Sequence, residues 1–156
     1  MFKVMIPGRG EFVFSCLILD MNGTVSTDGA LIPGVKWRIK KLKEILDIYL
    51  ITADTFGSAL DASADLGIEL AVISPIDGGR DKFDFLKQKG SSESIAIGNG
   101  FNDVEMLREA GLSIVVMGNE GCSVQALNAA MIAVNDIRDA LDLILCKNRL
   151  IATLRT

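Results

Sequence analysis

Apolar residues recur along the chain in short runs that predict strands. Each run is bounded by glycine, proline or polar residues, as is typical of strands buried in a sheet. We predict strands at residues 2–6, 12–19, 48–51, 68–74, 94–97, 112–117 and 131–134. The first two runs flank the turn-forming sequence PGRG and therefore predict an antiparallel hairpin at the N-terminus.

Between these runs, apolar residues recur at the spacing of three and four that predicts amphipathic helices. Val35, Ile39, Leu42 and Leu46 show this spacing most clearly. We predict helices at residues 35–46, 56–66, 79–89, 103–110 and 122–129, and a last helix that follows Asp136 as its N-cap. Strands that alternate with helices predict an α/β fold: a three-layer α/β/α Rossmann-like sandwich with a mainly parallel sheet and the N-terminal hairpin.

Composition and charge narrow the class of protein. The length of 156 residues fits one domain, 1–156, and 49% hydrophobic with 23% charged residues excludes a disordered chain. Sixteen Lys and Arg against twenty Asp and Glu give a net charge of −4, which argues against a nucleic-acid partner bound by bulk charge. No apolar run reaches the ~20 residues that cross a bilayer. We therefore expect no membrane partner and a cytoplasmic location.

The chain contains no histidine, so it cannot use His-dependent hydrolysis or His-ligated zinc. Acid–base chemistry must then come from carboxylates, lysines, cysteines or Tyr49. The three cysteines, Cys16, Cys122 and Cys146, are odd in number and far apart in apolar surroundings. We expect them to be reduced core residues and not a disulfide framework or a metal site.

Polar residues follow three of the predicted strands, at the sheet edge where ligands of parallel sheets bind. These are Asp20, Thr52 and the group GNGFND at residues 98–103. Taken singly, each has a structural explanation: an aspartate that caps a turn, a strand end, and a glycine turn before a helix. Lys82 near a helix start could equally be a solvated lysine, and Lys87 competes with it for any role in a site.

Taken together, four segments resemble the haloacid dehalogenase superfamily of phosphohydrolases in order and spacing. They are LILDMNGTV (17–25), LITAD (50–54), Lys82 within GGRDKFDFL (78–86), and IGNGFNDVEML (97–107). The resemblance covers about residues 14–145. It is strongest to the small soluble members related to the catalytic domain of P-type ATPases, and then to capless 3-deoxy-octulosonate 8-phosphate phosphatases. The intervals between the segments are too short for a cap domain.

The resemblance implies a Mg²⁺-dependent phosphohydrolase or phosphotransferase that acts through an aspartyl phosphate on Asp20. It assigns the catalytic positions to Asp20, Asn22, Thr52 and Lys82. It assigns phosphate binding to Gly23, Thr24, Ala53 and Asn102. It assigns the metal to Asp20, the backbone carbonyl of Asn22, and Asn99, with Asp103 acting from behind these ligands.

Two residues depart from the family pattern. Asn22 stands where the phosphatases have an acid that protonates the leaving oxygen and then activates water, and an amide does neither. Asn99 stands where the family has an aspartate as metal ligand. Both substitutions remove negative charge, so the site should hold Mg²⁺ less tightly and repel a phosphate less. We therefore expect slow turnover.

The absence of a cap leaves the site open, and two kinds of substrate fit: a phosphorylated small molecule or a phosphorylated partner. We expect a homo-oligomer, a dimer or tetramer, with Phe2, Val4, Ile6 and the loop 25–32 as candidate contacts. Two alternatives stay open. The chain could be an attenuated module that binds phosphate or a partner protein in a regulatory role, or a folding or assembly partner without a ligand.

Overall fold

The computed structural model describes residues 1–53 and 57–156. This part of the chain forms ten strands: β1 (Phe2–Ile6), β2 (Gly10–Phe14), β3 (Cys16–Asp20), β4 (Ser26–Thr27), β5 (Ala30–Leu31), β6 (Asp47–Thr52), β7 (Glu69–Val72), β8 (Ser94–Gly98), β9 (Leu112–Val116) and β10 (Ile132–Val134). It also forms seven α-helices: α1 (Val35–Leu42), α2 (Ser58–Leu66), α3 (Gly78–Lys89), α4 (Val104–Glu109), α5 (Val124–Ala129), α6 (Ile137–Leu145) and α7 (Lys147–Leu154). Short 3₁₀ turns lie at Ser91–Glu93 and Phe101–Asp103.

Six strands form one parallel sheet in the order β10-β9-β8-β3-β6-β7. The central strand β3 pairs with β6 on one side and with β8 on the other. Because all six strands are parallel, the carboxyl ends of β3, β6 and β8 lie side by side at one edge. The predicted α/β class is therefore confirmed, and it brings the polar strand ends together.

The two faces of the sheet carry separate hydrophobic cores. Along β3, Leu17 and Leu19 enter the core that contains α1, α2, α6, α7 and the hairpin, whereas Cys16 and Ile18 enter the core that contains α3, α4 and α5. This alternation is the period of two that a strand imposes on its side chains. The result is the predicted three-layer sandwich, and no domain is inserted within residues 1–53 or 57–156.

The prediction of one strand over residues 12–19 is wrong. Strand β2 ends at Phe14, and β3 begins at Cys16 in a different sheet. The backbone of Ser15 lies between them: its N–H donates to the Glu93 carbonyl, and its carbonyl accepts from Asp47 N. The chain therefore leaves the hairpin for the main sheet at Ser15, although hydrophobicity is continuous across this point.

The apolar residues of the hairpin β1–β2 pack into the hydrophobic core of the same chain. The prediction that they contact a second subunit is therefore wrong. Phe2, Val4 and Ile6 are 2%, 4% and 1% exposed. Helix α7, which the sequence analysis did not predict, belongs to the same core, with Leu150 buried in it. A surface made of these three residues is therefore not available to a second copy.

Other boundaries differ by a turn or less from the predictions. Helix α1 ends at Leu42, and Leu46 is buried in the turn that follows. Helix α2 ends at Leu66, as predicted, and Gly67 caps it, whereas the predicted start of that helix at Phe56 lies outside the described residues. Of the cysteines, Cys16 is buried but Cys146 is exposed, so the expectation of three core residues is wrong for Cys146. None of the described helices has the length and apolar character that crossing a bilayer requires.

Candidate active site

Asp20 ends the central strand β3, and a buried lysine holds its carboxylate. Lys82, on the first half of α3, donates from Nζ to Asp20 Oδ1 at 2.6 Å and to Asp103 Oδ1 at 2.6 Å. The side chains of Lys82 and Asp103 are fully buried, whereas that of Asp20 is 9% exposed. The alternative of a solvated lysine at this position is therefore excluded.

Asp103 connects this lysine to the loop that follows β8. Its Oδ2 accepts from the backbone N–H groups of Asn99 at 3.0 Å and Gly100 at 2.9 Å, while Oδ1 accepts from Lys82. Both oxygens are thus engaged, and the residue is fully buried. Asp103 therefore holds the loop and the lysine together, and its expected role behind the metal ligands stays a prediction.

Burial and the neighbouring charges shift the pKa of Asp20 and the pKa of Lys82. Burial, together with the negative charge of Asp103, raises the pKa of Asp20 to about 6, although Lys82 and Thr24 oppose the rise. Burial by itself would lower the pKa of Lys82, but Asp20 and Asp103 outweigh it and hold the pKa above the ordinary value. The lysine is therefore a permanent cation beside a carboxylate that is largely ionised at neutral pH.

Thr24 places one hydroxyl between two acceptors. Its Oγ1 lies 3.1 Å from Asp20 Oδ2 and 3.1 Å from Asn99 Oδ1. A hydroxyl carries one proton, so it donates to only one of these oxygens at a time. The hydroxyl of Thr24 therefore brings an oxygen of Asp20 and an oxygen of Asn99 to the same place.

Two glycines allow the close packing around these residues. Gly23 has φ of 76°, and a Cβ there would lie 2.3 Å from Asn99 Nδ2. A Cβ on Gly98, the last residue of β8, would lie 2.5 Å from the carboxyl carbon of Asp103. Glycine is required at both positions because a side chain would displace the groups that form the site.

A cavity of about 360 Å³ opens over Asp20. Six of the sequence-predicted site residues line it: Asp20, Asn22, Thr52, Ala53, Asn99 and Asn102. Lys82, Thr24 and Asp103 are fully buried, and their bonds to Asp20 or Asn99 place them behind it. Asp54, which ends the predicted motif LITAD, lies outside the described residues. The structure thus brings the predicted residues to one place, whereas Lys87 contacts the ring of Phe83 instead.

The donor set fits a hard divalent cation. Asp20 supplies a carboxylate and Asn99 supplies an amide oxygen. Asn22, in the loop that follows β3, lines the same cavity and has a backbone carbonyl. These are the oxygen ligands that Mg²⁺ prefers. The described residues contain no cluster of three or more acidic, cysteine or histidine side chains at a metal-binding distance, so a bound ion would depend on neutral oxygens and water.

The sequence analysis did not identify the loop after β9 as part of the site. Asn99 Nδ2 donates to the Gly121 carbonyl at 3.0 Å, and Ser123 N donates to the Asn99 carbonyl at 2.8 Å. Both bonds fix the orientation of Asn99, so that its Oδ1 faces Thr24. The only sequence signal is the turn-forming composition of GNEGCS, which also fits an ordinary loop.

Comparison with known families and proteins gives several matches to this chain. The family of haloacid dehalogenase-like hydrolases matches residues 85–143, which include the Asn99 and Asp103 loop. The soluble P-type ATPase-like phosphatase of Methanocaldococcus jannaschii is 30% identical over 142 residues, which cover 85% of this chain and 51% of that protein. These matches support a hydrolase of the haloacid dehalogenase superfamily.

Two further matches cover a larger share of the matched protein. An uncharacterized protein of Methanocaldococcus jannaschii is 48% identical over 69 residues, which cover 44% of this chain and 74% of that protein. The crystal structure of 3-deoxy-D-manno-octulosonate 8-phosphate phosphatase from Moraxella catarrhalis, a complex with magnesium, phosphate and KDO, superposes with a TM-score of 0.71. The identity is 21%, with 91% of this chain and 94% of that chain covered, so this match shows the shared haloacid dehalogenase fold.

Proposed function

We propose that this protein is a phosphohydrolase or phosphotransferase of the haloacid dehalogenase superfamily whose nucleophile is Asp20. The observation that carries the proposal is the buried Asp20–Lys82–Asp103 chain at the end of the central strand, with both distances at 2.6 Å. A structural ion pair does not need to open into a cavity, whereas Asp20 lines one. Phosphatase activity of the M. jannaschii relative supports the same class.

In the proposed reaction an Asp20 carboxylate oxygen attacks phosphorus, and the bond between phosphorus and the leaving oxygen breaks. The leaving group takes its proton from solvent or departs as an anion, and water then attacks the phosphorus of the aspartyl phosphate to release phosphate and restore Asp20. Lys82 keeps Asp20 oriented and offsets the negative charge that gathers in the transition state. We assign the binding of the phosphoryl oxygens to the hydroxyl of Thr52, the Ala53 N–H and Asn102, and the lining of the cavity over Asp20 by these three residues supports the assignment.

We propose Mg²⁺ as the cofactor, held by Asp20, the Asn22 carbonyl and Asn99. When bound, the ion supplies positive charge that brings the anionic phosphate to the anionic nucleophile. Thr24 supports this assignment, because its single proton cannot satisfy both Asp20 Oδ2 and Asn99 Oδ1.

Slow turnover is part of the proposal. Of the described residues that line the cavity, only Asp20 carries a carboxylate, and Asn22 is exposed at the position of the usual acid. Hydrolysis of the aspartyl phosphate then lacks a base to activate water. We expect the phosphorylated enzyme to accumulate.

Mass spectrometry tests the central step. The protein is incubated with acetyl phosphate and Mg²⁺, and the increase in mass is mapped to a peptide. We expect phosphate on Asp20 in the native protein and none in Asp20→Asn, because an amide does not attack phosphorus. Unmodified Asp20 under these conditions would contradict the proposed enzyme.

A second candidate function is a regulatory module that binds phosphate without turnover. The two amides at Asn22 and Asn99 favour it, since they remove the acid–base group and one charged metal ligand. It predicts saturable phosphate binding with Mg²⁺ and no phosphate on Asp20. The same experiment therefore separates the two candidates.

We also propose that the substrate is a phosphorylated small molecule and that the protein forms a homo-oligomer. The exposed Ile76 supports assembly, whereas the apolar residues of the hairpin do not. Light scattering of the purified chain tests it, and a monomer mass at micromolar concentration would contradict it.

A further inference from the structure

A second cavity of about 460 Å³ adjoins the cavity over Asp20. The two share a wall, since Ala53 and Asn102 line both. A third cavity of about 320 Å³ borders Gly23 and Thr24 but shares no lining residue with the catalytic cavity. Of the two neighbouring cavities, only the second therefore has the position to receive the rest of a molecule whose phosphate contacts Asn102.

The packing of α3 against the 3₁₀ turn Phe101–Asp103 fixes the shape of this second cavity. The first turn of α3 lies so close to the turn that a Cβ on Gly79 would lie 3.4 Å from the Asn102 carbonyl oxygen. Asn102 is thus held between the two cavities by backbone contact. Helix α3 forms one wall of the second cavity, and the 3₁₀ turn forms another, next to the proposed catalytic group.

Four charged side chains line the second cavity, and their charges cancel. Arg80 and Arg108 are opposed by Asp77 and Glu105. Arg80 also pairs with Asp84 at 3.2 Å, but no ion pair within the described residues involves Arg108, Asp77 or Glu105. These three groups are available to donate to, or accept from, a ligand.

Such a lining distinguishes between leaving groups. A second phosphate or a carboxylate on the ligand would lie near Asp77 and Glu105 as well as near the two arginines. Repulsion from the two carboxylates would then offset the attraction to the two arginines. Hydroxyl groups both donate and accept, and they therefore suit guanidinium and carboxylate groups equally. The lining favours a leaving group without net charge and with several hydroxyls.

Phe101 adds an apolar surface to this cavity. Its side chain is 71% exposed, although it lies one residue from Asn102 in the turn that holds the site. An aromatic face beside carboxylates and guanidinium groups is suited to a ring with an apolar face and a polar rim.

We infer that the second cavity binds the leaving group of the phosphomonoester, and that this leaving group is an uncharged hydroxylated ring, as in a sugar phosphate. This inference rests on the proposed function, because it takes Asp20 as the group that accepts the phosphoryl. Phe101 supports the ring, Arg108 donates to its hydroxyls, and Asp77 and Glu105 accept from them. No covalent step beyond the proposed phosphoryl transfer is required.

Binding is tested first by amide NMR on Asp20→Asn with Mg²⁺, so that no ligand is consumed. The probes are glucose 6-phosphate, ribose 5-phosphate and inorganic phosphate. We expect the sugar phosphates to shift amides of residues 77–80 and 101–108, and inorganic phosphate to shift only those around residues 20–24 and 99–102. Shifts by the sugar phosphates that match those of inorganic phosphate would overturn the inference.

Turnover by the native protein provides the second test, with fructose 1,6-bisphosphate and phosphoserine as charged competitors and acetyl phosphate as a substrate without a ring. We expect a higher kcat/KM for the sugar monophosphates than for either charged competitor. In Phe101→Ala the ratio of kcat/KM for sugar phosphate to that for acetyl phosphate should fall about tenfold, as for the loss of a good apolar contact. Arg108→Gln should lower the same ratio.

Leu60→Ala is the matched control, since Leu60 is 63% exposed on α2 and outside the second cavity. It should leave the ratio as in the native protein. An unchanged ratio in both Phe101→Ala and Arg108→Gln, or a preference for the charged competitors, overturns the inference while the proposed function stands. Failure of acetyl phosphate to modify Asp20 overturns the proposed function, and the NMR shifts still decide whether the second cavity binds sugar phosphates.

Discussion

At the scale of single residues, the proposed slow turnover depends on the side chain of Asn22. It is exposed and lines the cavity over Asp20, and the family resemblance assigns an acid to this position. Asn22→Asp restores a group that can protonate that oxygen and then activate water. We expect the steady-state rate on alkyl phosphates to rise at least ~10-fold, within the ~10²–10⁴-fold range of such groups.

Aryl and acyl phosphates should gain less from Asn22→Asp, because their leaving groups need little protonation. Asn128→Asp is the control, since it adds the same charge at an exposed position on α5. The measurement is phosphate release from both substrate classes by the three proteins. Equal rates for Asn22→Asp and the native protein on both classes would remove the explanation of slow turnover.

Gly98 is the residue whose replacement should disturb the site most directly. A Cβ there would lie 2.5 Å from the Asp103 carboxyl carbon, and Asp103 in turn holds Lys82. We expect Gly98→Ala to lower the free energy of unfolding by ~1–3 kcal/mol, as overpacking does, and to slow the phosphorylation of Asp20. Urea unfolding and mass spectrometry measure the two effects.

Gly118→Ala is the matched control for Gly98→Ala. Gly118 lies two residues after the end of β9, but a Cβ there would make only ordinary contacts, 3.6 Å from Val116 Cγ1 and 3.7 Å from the Gly23 carbonyl oxygen. We expect it to be near neutral for stability. If Gly98→Ala is as stable and as active as Gly118→Ala, Asp103 does not need its observed position.

At this scale the sequence predicted residue types well and contacts poorly. Asp20 and Lys82 could be found because their spacing matches a known family. The double use of Asp103, with one oxygen for Lys82 and the other for two backbone N–H groups, depends on where the loop returns in space. The contact between Gly121 and Asn99 was also unpredictable. It uses the backbone carbonyl of Gly121, and the residue type does not indicate which group a backbone carbonyl contacts.

At the scale of elements, an ion pair joins α1 to α6. Arg38 donates from Nε and Nη2 to the two carboxylate oxygens of Asp142, each at 2.8 Å, and both side chains are mostly buried. The paired arginine lowers the pKa of Asp142. Since the folded pKa lies below the unfolded value, the pair stabilises the fold above the ordinary aspartate pKa, and this stabilisation is lost as the pH falls through the folded pKa.

We expect Asp142→Asn to lower the free energy of unfolding by ~1–2 kcal/mol at pH 7, as for a charge-assisted bidentate pair. The difference from the native protein should shrink as the pH falls below ~4 towards the lowered pKa of Asp142 in the folded protein. Asp65→Asn is the control, because its pair with Lys36 is exposed and should contribute less than ~1 kcal/mol. Urea unfolding at both pH values measures this, and a difference that is constant with pH would contradict the assignment.

The elements that sequence reasoning missed are those that depend on tertiary contact. Helix α7 was not predicted because it follows α6 after Cys146 alone, without a loop to separate them, and its buried residues pack on the hairpin. The break at Ser15 was missed because the apolar run continues through it. In contrast, the capping aspartate of α6 was predicted correctly, since Asp136 accepts from Arg138 N, a contact local in sequence.

At the scale of the whole molecule, the parallel order of the sheet decides where chemistry occurs. Three strands that are distant in the chain end at one edge and supply Asp20, Thr52 and Asn99. This outcome could be predicted, because alternation of strands and helices implies parallel strands with adjacent carboxyl ends. The second cavity could not be predicted from the sequence, because it depends on how closely α3 approaches the turn that contains Asn102. The prediction of one domain over 1–156 stays a prediction.

Ligand binding at this edge should stabilise the entire fold. Mg²⁺ with beryllofluoride mimics a phosphoryl group on an aspartate, and it would bind only where β3, β8 and α3 bring Asp20, Asn99 and Lys82 together. Because the unfolded chain lacks this arrangement, a ligand at 100 times its Kd adds ~2.7 kcal/mol to the free energy of unfolding. For a chain of this size, that is a rise in Tm of ~5–10 °C. Thermal unfolding should show the rise in the native protein and in Leu60→Ala, but not in Asp20→Asn. A rise that persists in Asp20→Asn would place the ligand elsewhere, and its absence from the native protein would favour a folding or assembly partner without a ligand.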